Sequence, residues 1–209
     1  MARKRRLWKS LQLHQGQIVS ARDKSPWTVG EWREVPAPVR ECEGFNCCES
    51  IIDAMRYVNM EVLAEVEIDG VRIDGDDKIT VQRMRIIRAW HWKREDSILL
   101  AAFGVKLYLE CLEKESLLDK AHSKEQIKSA KTFIENPTYE NMLMALTALF
   151  GGAWDAASNA GAFFWCLAYA ASLVFSYFGA RVAFSKIRVD FYKKSHGWIV
   201  KHTADMEAL

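Results

Sequence analysis

The chain has 209 residues, 50% of them hydrophobic and 27% charged, with only four prolines and eleven glycines. That composition excludes a disordered, collagenous or low-complexity polymer, and the length suffices for one large domain or two small ones with a real core. With 29 Lys and Arg against 27 Asp and Glu, the near-zero balance argues against a strongly electrostatic nucleic-acid binder.

The first residues include a basic run, Arg3, Lys4, Arg5 and Arg6, the one local candidate for touching phosphate; a solvated terminus is the plainer reading. No signal-type apolar segment follows, because Lys9, Gln12, His14 and Gln15 interrupt it. Five cysteines (Cys42, Cys47, Cys48, Cys111 and Cys166) form an odd set with one adjacent pair, which suits a reducing compartment better than a disulfide framework. A cytoplasmic location is therefore expected.

Alternation from Arg6 to Leu11 predicts an early strand. Gly16 and Asp23-Lys24-Ser25-Pro26 are turn signals, and Trp27–Val29 and Glu31–Val35 read as extended around Gly30. Pro36 and Pro38 mark a loop. Ser50 to Val58 has helical spacing with a capping residue at its start. The clearest strand is Leu63–Ile68, where apolar and acidic residues alternate so that one face is buried and the other wet. Asp69-Gly70 and Asp74-Gly75-Asp76-Asp77 read as turns; Ile79–Val81 and Met84–Trp90 are further strands. The order predicts an α+β unit over residues 1–95, a small mixed sheet with one packed helix.

Residues 96–209 read as a helical bundle. Asp96-Ser97 opens a helix from Ile98 to about Glu115, and Ser123-Lys124-Glu125-Gln126 is a capping box for a helix through Ile134. Asn136-Pro137-Thr138 ends it and starts the next. From Ala160 to Ala180 no formal charge occurs, a length compatible with a membrane span. Against this stand dense small residues, Gly151-Gly152, and Asp155, which is expensive in hydrocarbon. A soluble bundle core is preferred to a membrane-active protein, and the small residues also allow a homodimer.

Candidate chemistry is sparse. Cys42, Cys47, Cys48, Glu43 and Glu49 cluster without a second ligand pair, so no metal is expected. Glu65 and Glu67 have the spacing of paired glutamates in ADP-ribosyltransferases, yet strand alternation alone explains them, and the other residues of such a site are not evident in order. Asp74, Asp76 and Asp77 lack the ligand order of a calcium loop. No Walker, dinucleotide or nucleophile-elbow sequence occurs, so no cofactor is expected. Trp90-His91-Trp92 with its basic neighbours could stack on bases or anchor a partner; packing at a domain junction is the competing reading.

Leu7-Trp8-Lys9-Ser10, Trp27–Trp32, Cys42-Glu43-Gly44-Phe45-Asn46, Ile52–Val58, Ala64–Glu67, Asp77-Lys78 and Met84–Trp90 together resemble a domain of unknown function common in phage and prophage proteins. Asn46 stands where that family usually has histidine. The part after Asp96 resembles alanine-rich segments of immunity proteins of bacterial toxin systems, carried by Ile127–Lys131 and Ala153–Ala157. The resemblance implies a phage accessory protein. Its expected role is non-enzymatic: stoichiometric binding to a host or viral protein, as an inhibitor of bacterial defence of the anti-CRISPR type. A transferase or other nucleotide-dependent enzyme is the alternative. The contact candidates are Glu65, Glu67, Asp74, Asp76, Asp77, Trp90 and Trp92.

Overall fold

A long hairpin organises the first half of the chain in a computed structural model that describes residues 6–56, 60–151, 167 and 184–209. Its arms are two strands of 13 residues each, β6 (Val62–Asp74) and β7 (Ile79–His91), joined by a tight turn in which the Gly75 amide donates to the Lys78 carbonyl at 2.9 Å. Around it lie β1 (Leu7–His14), β2 (Gln17–Val19), β3 (Pro26–Trp27), β4 (Trp32–Glu34) and β5 (Phe45–Cys47). The sheet order is β3-β2-β1-β6-β7-β4, with β5 also paired to β7, and every strand pairing is antiparallel.

This overturns the expected small mixed sheet: the first unit is a large, curled antiparallel half-barrel spanning residues 7–91. The physical reason lies at Asp69-Gly70, which reads as a turn but is a bulge. The β6–β7 register shifts between Asp69 and Arg72, and Gly70 takes a φ of 76°, the left-handed region glycine tolerates. The strand therefore bends and continues. A second irregularity between Glu65 and Val66 adds curl and keeps both Ile86 and Ala89 in the core.

The curl nearly closes on itself. Trp8 and Cys48 exchange two backbone hydrogen bonds of 2.8 Å, linking the outer edge of β1 to the end of β5, which already pairs with β7. Leu7, Leu11, Val62, Ala64, Val66, Met84, Ile86 and Ala89 fill the core. The expected helix from Ser50 is a single turn, α1 (Ile51–Ala54), capped by the Ser50 hydroxyl; it packs on β1, where Ser10 Oγ donates to the Ala54 carbonyl at 2.6 Å. Residues 57–58 of the expected helix lie outside the described ones.

By its contacts the chain divides into two units, Met1–Lys93 with Ile199–Leu209, and Arg94–Trp198. The end of the chain joins the first unit by backbone pairing: the Leu209 amide donates to the Ala89 carbonyl at 2.9 Å, and Ala208 bridges Trp90. The second unit holds α2 (Arg94–Lys114), α3 (Leu118–Ala121), α4 (Lys124–Glu135), α5 (Tyr139–Phe150) and most of α6 (Phe184–Ala204). The capping box is present at Ser123 and Gln126, Thr138 caps α5, and Gly151 ends α5 in the left-handed region. Phe133 and Leu146 are fully buried, and Tyr108 shares a 2.8 Å hydrogen bond with His122 Nε2. Among the described residues no helix is long and apolar enough to cross a membrane. Ala153–Ala157 and nearly all of the uncharged run at 160–180 fall outside them.

Candidate functional site

The strand that carries Glu65 and Glu67 faces three arginines. In the β6–β7 register Glu65 lies opposite Arg88, Glu67 opposite Arg85, and Asp69 opposite Arg83. Each pair is bonded: Glu65 Oε2 to Arg88 at 2.7 Å, Glu67 Oε2 to Arg85 Nε at 2.8 Å, and Asp69 Oδ2 to Arg83 at 2.6 Å. Glu65 also has Arg6 Nε at 3.5 Å. Glu65 is buried, not wet as alternation implied, because Trp8 of β1 lies beside it in register. With its carboxylate bridging two guanidiniums, Glu65→Gln is expected to lower stability by about 1 kcal/mol, read as a lower urea midpoint at unchanged slope.

The remaining sequence candidates scatter. Asp74 pairs with Arg72 at 2.6 Å, Asp77 lies 3.6 Å from Arg56, and Asp76 stands exposed at the hairpin turn. Trp90 and Trp92 are not surface anchors: Trp90 stacks on Trp8 with centroids 6.3 Å apart, and Trp92 meets His202 edge-on at 5.9 Å. Their indoles are taken up in packing because α1 and the returning C-terminal residues cover that end of the sheet. Of the basic run only Arg6 is described, and it is spent on Glu65; Arg3, Lys4 and Arg5 lie outside the described residues.

Two features escaped the sequence reading. The first is a shelf on the face of the sheet that carries the ion pairs. Trp32 lies opposite Arg85, and Glu34 opposite Arg83. The guanidinium carbons of Arg85 and Arg83 sit 4.8 and 5.1 Å from the centroid of the Trp32 ring, which remains 37% exposed. The exposed Val29 is bridged to the adjacent position of β7, Ile86.

The second is a cleft of about 350 Å³ at the outer edge of β1. That edge is paired by β2 from Gln12 onward and bridged by Cys48 at Trp8. Between these points, at Lys9–Leu11, the wall of the half-barrel opens. Lys9 lies on the core-facing side, in register with Ala64 and, across β6, Ala89, whose small side chains leave room for its stem. Its ammonium donates to the Asn46 carbonyl at 2.8 Å and lies 5.6 Å from the Trp27 ring centroid. Burial pulls Lys9 down to about 8, from the ordinary lysine value of 10.5. Cys47 and Cys48, also on the cleft wall, are pushed up to about 12 by burial and stay protonated thiols at neutral pH.

The Cys42–Asn46 segment builds the far wall. The Cys42 amide donates to Thr80 Oγ1 at 3.0 Å, and that hydroxyl donates to Asn46 Oδ1 at 2.8 Å. Phe45 meets Trp27 edge-on at 5.0 Å. Gly44 passes so close to β7 that an added Cβ would sit 2.5 Å from the Val81 carbonyl oxygen. The motif therefore places backbone: it aims the Asn46 carbonyl at Lys9. Among the described residues no group of three or more His, Cys, Asp or Glu is placed to hold a metal ion.

Residues 17–96 match the family model of a domain of unknown function, DUF7666. The match runs from β2 into the start of α2 and so takes in the hairpin, the shelf and the Cys42–Asn46 wall. No curated protein and no solved structure matches the chain.

Proposed function

We propose that the chain is a non-enzymatic binding protein that engages a protein partner stoichiometrically through the sheet face around Trp32. The observation that carries this reading is the Trp32 shelf: an exposed indole with two arginines laid on it. Tryptophan and arginine are the residue types that dominate binding energy at interfaces. Here each guanidinium is already fixed by a carboxylate across the strand, Glu67 for Arg85 and Asp69 for Arg83, so little side-chain freedom is lost on docking. The transferase alternative gains no support from Glu65 and Glu67, since each carboxylate is bonded to an arginine instead of projecting into the cleft. The resemblance to phage and prophage proteins extends the proposal: the partner is a host or viral protein, bound in the manner of an inhibitor of bacterial defence.

Trp32→Ala tests it. Tagged wild-type chain, expressed in the cell from which it comes, should yield one partner in a fixed ratio by native mass spectrometry. The Trp32→Ala variant should bind that partner at least about tenfold more weakly, roughly 1.4 kcal/mol, with an unchanged urea midpoint. A complex held equally well by the variant, or the lack of any fixed-ratio complex with the wild type, refutes the reading.

A further inference from the structure

We infer that the cleft beside Lys9 is a binding site for a small organic monocarboxylate, whose carboxyl group is received by the Lys9 ammonium. The site is independent of the Trp32 shelf. Its volume, about 350 Å³, lies at the lower end of the range of small-molecule sites. Its walls combine the apolar Leu11 and Phe45 with a cation that the fold has drawn inward.

The charge arrangement names the ligand. A half-buried ammonium is normally matched by a carboxylate, because desolvating an unpaired charge is expensive. Lys9 has a neutral carbonyl and an aromatic ring instead, and among the described residues no carboxylate lies within ion-pair reach of it. The two acids on the cleft wall are engaged elsewhere. Asp23 accepts from the Ser25 hydroxyl at 2.8 Å and the Ser25 amide at 3.1 Å. Glu43 accepts from the Val39 amide at 3.2 Å and pairs with Arg40. Asp23 adds a minor attraction to the ammonium, but neither acid is bonded to it, so that place is left for a ligand carboxylate. Arg22 and Lys78 also line the cleft, and Arg33 lies close enough to act on Lys9, but Lys9 is the cation drawn furthest inward, and its lone ammonium is matched by one carboxylate group. Leu11 and Phe45 suit a flat or aliphatic body behind the carboxylate.

Proton linkage gives a signature that simple apolar binding lacks. The ligand stabilises the charged amine, so Lys9 must titrate higher in the complex than its free value of about 8. Affinity is then level from the ligand's own carboxyl pKa, about 4, up to pH 8, and falls as pH rises further, by up to tenfold per unit, until the complexed amine itself titrates.

The experiment titrates the full chain with benzoate at pH 7 by calorimetry and follows the Lys9 ε-carbon by NMR across pH, with and without benzoate. Binding with a dissociation constant of about 1 mM or tighter is expected, with an upward shift of the Lys9 titration. Lys9→Met, which keeps an apolar stem in the same space, should weaken binding at least about tenfold. The NMR arm uses the wild type, so it decides the matter even if that variant misfolds. The assignment is overturned by any of four results: no binding at tens of millimolar, equal affinity in a folded Lys9→Met chain, a Lys9 titration that benzoate leaves unmoved, or inorganic phosphate binding as tightly as benzoate.

Discussion

Trp8→Ala is expected to reduce the unfolding free energy of the first unit by roughly 3–5 kcal/mol, the range for truncating a large buried aromatic. Trp8 is 1% exposed and ties β1 to three other strands. Its backbone is bonded to Cys48 at the end of β5, its register partner on β6 is Glu65, and its ring stacks on Trp90 of β7. Truncation removes the indole from all these neighbours and leaves a void that the surrounding backbone, held in the β1–β6 and β6–β7 ladders, cannot collapse into. Urea unfolding followed by far-UV circular dichroism reads the effect as a lower midpoint. A loss under 1 kcal/mol would mean that the Trp8–Cys48 closure does not couple the strands as described.

The same residue shows why the sequence revealed only part of this fold. Along β1 the alternation of apolar and charged residues correctly marks a strand, and alternation puts Trp8 and Lys9 on opposite faces. It cannot say that both faces are covered there, one by α1 and the other by the curl of the sheet. Nothing local in the sequence therefore announces that Lys9 borders the core, and Glu65 reads as wet when it lies beneath Trp8 and two arginines. The strand beginning at Leu63 was legible for the same local reason, but its true length was not: Gly70 is equally good chemistry for a turn and for a bulge, and only the pairing partner decides between them. The capping box at Ser123 is wholly local and was read directly. Trp32 carried no local signal, because its character comes from arginines some fifty positions away in the chain, joined to it by strand pairing.

Gly44→Ala is the second large effect, expected to destabilise the first unit by about 3 kcal/mol and to disturb the Lys9 cleft with it. The new Cβ would stand 2.5 Å from the Val81 carbonyl oxygen and 3.2 Å from Thr80 Cγ2. A flexible side chain could swing away from such a contact, but the Val81 carbonyl belongs to β7, with Phe45 as its register partner on β5 and Arg72 on β6. The strain must therefore move β5. That displacement breaks the chain of contacts from the Cys42 amide through Thr80 to Asn46, and carries the Asn46 carbonyl away from Lys9. The Lys9 titration should then depart from about 8 in the variant even where it stays folded. Gly197, in α6 with open space where its Cβ would stand, is the control, and alanine there should leave both stability and the Lys9 titration intact. A Gly44→Ala chain as stable as the wild type would show that β5 yields freely, and a freely yielding β5 could not hold the cleft wall in place.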